Sequence, residues 1–215
     1  MEIKALIFDM DGVIMDSMGM WDTLVIDYLE SLGINADEEF SRSLFTCSME
    51  EAAGRMVEKF DLSMTPKEVV ADVNEYISEF YYTKVQPKEN APEGLRELQQ
   101  DGFRICLATS TDRPLVEAAM KRVGLLDVFE FIITSTEAGK GKDFPDIFLM
   151  AAKKLGIENE NILVIEDNHN AVRTAGSVGF KTCGVYDAHE EEIFPILEER
   201  ADFTVKSLTE IADHI

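Results

Sequence analysis

Ile3-Lys4-Ala5-Leu6-Ile7-Phe8-Asp9-Met10-Asp11-Gly12-Val13 is the stretch on which the fold turns. An apolar, partly β-branched run, Ile3 to Phe8, stops abruptly at an acidic-glycine cluster, the pattern of a buried strand running into a tight turn. Three later runs repeat it, Arg104–Ala108, Phe129–Thr134 and Ile162–Ile165, with weaker copies at Phe180–Tyr186 and Phe203–Val205. Helical spacing fills the intervals: Leu115, Ala118, Ala119, Arg122 and Val123 in one, Ile147, Phe148, Ala151, Ala152 and Leu155 in another. Gly124 and Gly156 follow these two as C-terminal glycines do. Strands alternating with helices of this length predict an α/β fold with a doubly wound parallel sheet.

From about Asp16 to Val85 the alternation lapses and only helix signals remain. Met18, Trp21, Val25, Tyr28 and Leu32 share one helical face, which Leu24 and Leu29 widen. Ser48 with Glu51, and Thr65 with Pro66 and Glu68, fit capping boxes that open further helices. Val70, Val73, Ile77 and Phe80 supply the apolar stripe of the last one. The expected organisation is an α/β core of residues 1–15 and 88–215, with an all-helical domain, 16–87, inserted after the first strand. A polar, proline-bearing stretch, Gln86 to Pro92, is the expected return linker.

The 215 residues suffice for a sizeable core without disulfide or metal staples. Lys and Arg total 20 against 42 Asp and Glu, a formal charge of −22, which repels nucleic-acid phosphates and anionic membranes and excludes both as general partners. A small phosphorylated substrate stays open, because a cation and one lysine invert the local field. Cys47, Cys106 and Cys183 are odd in number and far apart, which fits neither a zinc site nor a disulfide framework. With no apolar run of membrane-spanning length and no signal peptide, the expected location is a reducing cytoplasm.

In an open parallel sheet, ligands bind beyond the carboxyl ends of the strands. Asp9 and Asp11 follow the first strand there, with Gly12 permitting the turn. Thr109-Ser110-Thr111 ends the Arg104 strand in hydroxyls and amides suited to phosphate oxygens. Glu166-Asp167-Asn168 ends the Ile162 strand in a second acidic pair. Lys142, with Lys140 two residues earlier, precedes a helix expected to open at Asp143-Phe144-Pro145. Any one of these has an ordinary explanation as a solvated turn, a helix cap or a surface lysine. Together they place four carboxylates, a hydroxyl turn and a lysine along one edge of one sheet. Converging carboxylates repel unless a hard cation lies between them, and a sparse all-oxygen set suits magnesium. A metal, a lysine and hydroxyl donors around a free aspartate make a site for phosphoryl transfer.

The set resembles the haloacid dehalogenase superfamily, in the branch containing β-phosphoglucomutase and related sugar-phosphate phosphatases. Asp9-x-Asp11-Gly12-Val13, followed by Asp16-Ser17, is similar to its first motif and the start of its cap, Thr109 to the second, and Glu166-Asp167 to the fourth. Gly141-Lys142-Asp143-Phe144-Pro145 is similar to the third, in which the family usually has proline directly after the lysine. The resemblance implies Asp9 as nucleophile, Asp11 as acid and then base, and Thr109, the Ser110 amide and Lys142 as phosphoryl ligands. It also implies magnesium on the Asp9 carboxylate, the Asp11 carbonyl and Asp167, with Glu166 beside it or one water away.

Those implications make the expected activity a magnesium-dependent phosphatase of a small phosphorylated metabolite, sugar phosphates by default, acting as a monomer. The alternative is a phosphosugar mutase. Mutases of that branch carry a histidine where this chain has Trp21, and an arginine in the stretch matching Thr46-Cys47-Ser48-Met49-Glu50, which has no basic residue. Losing that cation removes a charge-assisted contact to a second phosphate. A dehalogenase needs neither Asp11 nor magnesium, and a signalling receiver lacks the helical insert; a non-catalytic phosphate-binding protein is the lesser alternative, against which stands that no motif residue is missing. Met18, Met20, Trp21 and Met49 read as cap core before substrate pocket. Glu190-Glu191-Glu192 reads as a solvated helix start, and His169 as an exposed one.

Overall fold

The computed structural model describes residues 2–215; residue 1 of the expected core segment lies outside the described residues. Strand β1 (Ala5–Phe8) is followed by a two-residue strand β2 (Met15–Asp16), and then by helices α1 (Met18–Ser31), α2 (Glu38–Arg42), α3 (Met49–Phe60) and α4 (Pro66–Glu79). A π-helical turn, Phe80–Lys84, leads into β3 (Gln86–Pro87) and α5 (Ala91–Gln100). The alternating half continues with β4 (Arg104–Thr109), α6 (Arg113–Arg122), β5 (Ile132–Thr134), the short α7 (Ser135–Ala138) and α8 (Asp146–Leu155). It ends with β6 (Ile162–Glu166), α9 (His169–Ser177), β7 (Lys181–Val185), α10 (Phe194–Arg200) and β8 (Phe203–Val205).

Six strands form one sheet in the order β5-β4-β1-β6-β7-β8, every pairing parallel. The chain winds outward from β1 through β4 to β5, then returns to β1's other side for β6, so the order reverses at the central strand. That reversal opens the crevice in which such sheets take ligands. The strands are buried on both faces because side chains alternate between two cores. Leu6 and Phe8 pack into one with Leu107, Leu163, Leu95 and Val116, and Ala5 and Ile7 into the other with Phe148, Ala151 and Ala171.

The expected strands are all present, with three trimmed, β7 losing Phe180 and Tyr186 at its ends. β1 begins at Ala5, and β5 begins at Ile132, preceded by a 3₁₀ turn at Leu126–Val128. Gly124 and Gly156 have φ of +72° and +67°, as helix-ending glycines require. The helix expected from Asp143 starts three residues later, at Asp146. Pro145 is its N-cap, and Asp143-Phe144 make the turn that carries Lys142 in.

Both expected capping boxes are formed, Ser48 with Glu51 and Thr65 with Glu68, and each stabilises its helix by roughly 1 kcal/mol. The inserted segment is not purely helical. Its entry and exit pair as an antiparallel ribbon, Met15 against Pro87 and Asp16 against Gln86. Strands two residues long leave no periodicity to read, and the proline lies at the ribbon's edge, where no amide is needed. Leu32, expected on the buried face of α1, is 41% exposed because the helix has ended one residue earlier.

Candidate active site

Four loops converge where β1, β4 and β6 end. Asp9 leaves β1 with its amide donating to the Ile165 carbonyl at 2.9 Å, which sets the turn against the end of β6. Gly12, at φ +73°, folds the chain back, and a Cβ there would lie 1.9 Å from Asp167 Oδ2. Asp167 can therefore approach the first acidic turn only because residue 12 lacks a side chain. Lys88, in the return linker, fastens the same turn from outside. Its Nζ donates to the Gly12 and Tyr186 carbonyls, both at 2.7 Å, and to Asp187 Oδ2 at 2.9 Å.

Lys142 is 4% exposed, with Nζ 2.6 Å from both Asp9 Oδ1 and Glu166 Oε1. Burial works against its charge, but the two carboxylates outweigh burial and hold its pKa above the usual lysine value. Asp9, Glu166 and Asp167 each offer an oxygen within 4.8 Å of the others'. Burial, reinforced by Glu166 and Asp11 against the pull of Lys142, raises Asp9 to about 8, and burial with Asp9 and Glu166 raises Asp167 well above its ordinary value. Glu166 Oε2 is buried without a hydrogen-bond partner among the described residues. Three buried carboxylates, one orphaned oxygen and a single neutralising lysine fit a hard divalent cation and its oxygen preference.

The Asp11 carboxylate points elsewhere. Oδ1 accepts from Ser17 Oγ at 2.6 Å and Tyr81 Oη at 2.7 Å, and Oδ2 accepts from Thr111 Oγ1 at 2.7 Å. Tyr81 Oη in turn accepts from Trp21 Nε1 at 2.7 Å. Asp11's side chain is thus outside the acidic cluster, which leaves its main-chain carbonyl as the ligand atom the sequence reading assigns. Thr109 is fully buried at the end of β4, its hydroxyl accepting from the Thr111 amide at 3.1 Å, while Ser110 Oγ lies 3.2 Å from Ser135 Oγ. Asp9, Asp11, Thr109, Ser110, Lys142, Glu166 and Asp167 all border one cavity of about 100 Å³. Lys140 does not reach it. That lysine is half exposed, lying 3.6 Å from Asp146 and over the Phe144 ring.

The inserted helices roof this cavity. Met18, Trp21 and Met49 border it, as Met20 does not. Glu190, read from sequence as a solvated helix start, also borders it in a 3₁₀ turn after β7, and burial raises its pKa. His169 is half-buried with its pKa lowered by burial, then by Arg200 and Arg173, and its Nδ1 has no partner among the described residues. Tyr81, Lys88 and Glu190 escaped the sequence reading. Only Tyr81 carried a signal, as an aromatic residue one position after the apolar stripe of the last cap helix.

Residues 3–179 match the profile of the haloacid dehalogenase-like hydrolases. The chain belongs to the haloacid dehalogenase-like hydrolase family. Among its curated relatives is the bifunctional riboflavin kinase/FMN phosphatase of Arabidopsis thaliana, 29% identical over 97% of this chain and 54% of that protein, so the chain spans about half that relative's length. The phosphorylated carbohydrates phosphatase of Thermotoga maritima is 24% identical over 83% of each chain. Among solved structures, CbbY from Rhodobacter sphaeroides in complex with phosphate superposes with a TM-score of 0.82 at 21% identity, over 97% of this chain and 96% of that one, a likeness of fold. Among the described residues, no helix is long and apolar enough to cross a membrane.

Proposed function

We propose that this haloacid dehalogenase-like hydrolase is a magnesium-dependent phosphatase of a small phosphorylated metabolite, working through an aspartyl-phosphate on Asp9. Phosphatase relatives of several substrate classes support the reaction type. The observation that carries it is Asp9 standing at the end of the central strand against a buried Lys142, inside a carboxylate cluster with an orphaned oxygen.

In this reading Asp9 attacks phosphorus, the phosphorus–oxygen ester bond breaks, and Asp11 gives its proton to the departing oxygen. Asp11 then takes a proton from the water that attacks the phosphoryl-enzyme, releasing inorganic phosphate and restoring Asp9. Thr109, the Ser110 amide and Lys142 hold the phosphoryl oxygens throughout. A magnesium ion held by Asp9, the Asp11 carbonyl and Asp167, with Glu166 beside it, would supply charge neutralisation for those oxygens. Positioning and charge neutralisation provide most of such a reaction's acceleration. Residues 1–15 and 88–215 form the catalytic core in this proposal, and 16–87 a cap that excludes bulk water. The three cysteines, all free and buried, support a reducing cytoplasm, and the enzyme acts as a monomer.

A phosphatase is favoured over a mutase because Lys142 is the cavity's one cation among the described residues, so a bisphosphate's second phosphate has no partner. Release of phosphate from p-nitrophenyl phosphate tests the reading, with magnesium, with chelator, and in Asp9→Asn. Turnover that requires magnesium and vanishes in the variant is expected; turnover persisting in Asp9→Asn would overturn it.

A further inference from the structure

The roof of the cavity is unusually poor in polar groups for an enzyme that would hold a sugar. Met18, Trp21, Leu24, Val25, Met49 and Met56 make up much of it, and no charged side chain of the inserted helices borders the space. The polar groups that do are largely committed. Trp21 Nε1–H is spent on Tyr81 Oη, and the Thr46 carbonyl accepts from the Lys142 amide at 2.7 Å. Burial pushes the Cys47 thiol up to about 11, so it stays neutral and behaves as a small apolar wall. Only the hydroxyls of Tyr28 and Thr46 remain, and that of Tyr28 is buried with no partner among the described residues.

We propose that the leaving group of the natural substrate is a compact, predominantly apolar alcohol, no larger than a single ring, seated against Met18, Trp21, Met49 and Met56 while its phosphate sits at Asp9 and Lys142. This rests on the phosphatase reading above and departs from the sugar phosphates that the family resemblance implies. A hexose or pentose would bring several hydroxyls under a roof with two free hydroxyls to meet them. Each one left unpaired lowers kcat/KM by roughly tenfold. An apolar alcohol gains from the same wall by leaving water, and three methionines let the wall conform to it. The cavity of about 100 Å³ also has to take the phosphoryl group, which keeps the alcohol small. An anionic leaving group is disfavoured on two counts, the absent cation in the roof and the Glu190 carboxyl at the rim.

The experiment compares kcat/KM for cyclohexylmethyl phosphate and glucose 6-phosphate, two esters of primary alcohols with a six-membered ring, with acetyl phosphate as a donor lacking a bulky leaving group. The expected result is a preference of roughly a hundredfold for the cyclohexylmethyl ester, reduced at least tenfold in Met49→Gln. Glucose 6-phosphate turned over as well or better overturns the proposal and leaves the phosphatase reading standing. So does turnover of acetyl phosphate with neither ester. If none of the three is hydrolysed, the phosphatase reading falls and this proposal falls with it.

Discussion

Replacing Tyr81 with phenylalanine removes one oxygen and keeps the ring. That oxygen donates to Asp11 Oδ1 and accepts from Trp21 Nε1, both at 2.7 Å, and the residue is fully buried. A hydrogen bond to a carboxylate contributes about 1.5–3 kcal/mol, and a stranded indole N–H costs about 1 kcal/mol where, as at Trp21, burial is partial. The variant should therefore lose about 2.5–4 kcal/mol of stability in urea or thermal unfolding. Its effect on catalysis is more diagnostic. Asp11 keeps Ser17 and Thr111 but loses one of three tethers, and general acid catalysis is worth about 10²–10⁴ in rate. For an alkyl phosphate, whose alkoxide needs a proton to depart, kcat/KM should fall roughly ten- to a hundredfold. For p-nitrophenyl phosphate, whose phenolate departs almost unaided, the fall should be within about threefold, since kcat/KM reports the first, phosphoryl-transfer step. An equal loss on both esters would refute the claim that Tyr81 acts through Asp11, and would reduce it to a structural residue.

Two further expectations concern the acidic cluster. Gly12→Ala puts a methyl group where Asp167 Oδ2 now lies and strains a φ of +73°, so magnesium affinity measured by calorimetry should drop at least tenfold while the sheet still folds. In metal-free protein, Asp9 has a pKa raised to about 8 and favours its protonated form. Its contribution to stability is complete below its unfolded pKa of 3.8 and is lost as pH rises through about 8. From pH 7 to 8.5 the melting temperature should fall in the wild type and stay flatter in Asp9→Asn. Saturating magnesium should cancel that fall and raise the wild type by roughly 5–10 °C at a hundredfold excess over Kd.

What could be read from the chain beforehand follows from how local each signal is. Ala5–Phe8 and Ile162–Ile165 announce themselves because both faces of a central parallel strand are buried, so every residue is apolar. Ser48–Glu51 and Thr65–Glu68 are legible because a capping box closes within four residues. The carboxylates, Thr109 and Lys142 could be ordered because each lies at or just beyond the end of a strand or shortly ahead of a helix. Tyr81, Lys88 and Glu190 could not. Tyr81 and Lys88 act across 70 or more residues of sequence, in Tyr81 to Asp11 and Lys88 to Gly12, and their hydrogen bonds exist only once the inserted helices have folded back over the strand ends. The β2–β3 ribbon was hidden for the complementary reason, being too short to show any period.

The loop that carries Lys142 is fastened to the roof as well as to the sheet. Lys142 N–H donates to the Thr46 carbonyl, Gly141 N–H donates to Glu51 Oε2 at 2.7 Å, and a Cβ on residue 141 would lie 2.2 Å from the Thr46 oxygen. Glu51 is also the residue that completes the capping box of α3, so one carboxylate both starts a roof helix and clasps the core. Lifting the helices must break both amide contacts and loosen the peptide from which the Lys142 ammonium is hung. On the proposed phosphatase reading these contacts are an interlock: the movement that shuts out solvent would also set the lysine, and an ester too bulky to let the roof descend would meet an aspartate whose lysine is out of position and escape hydrolysis even while bound.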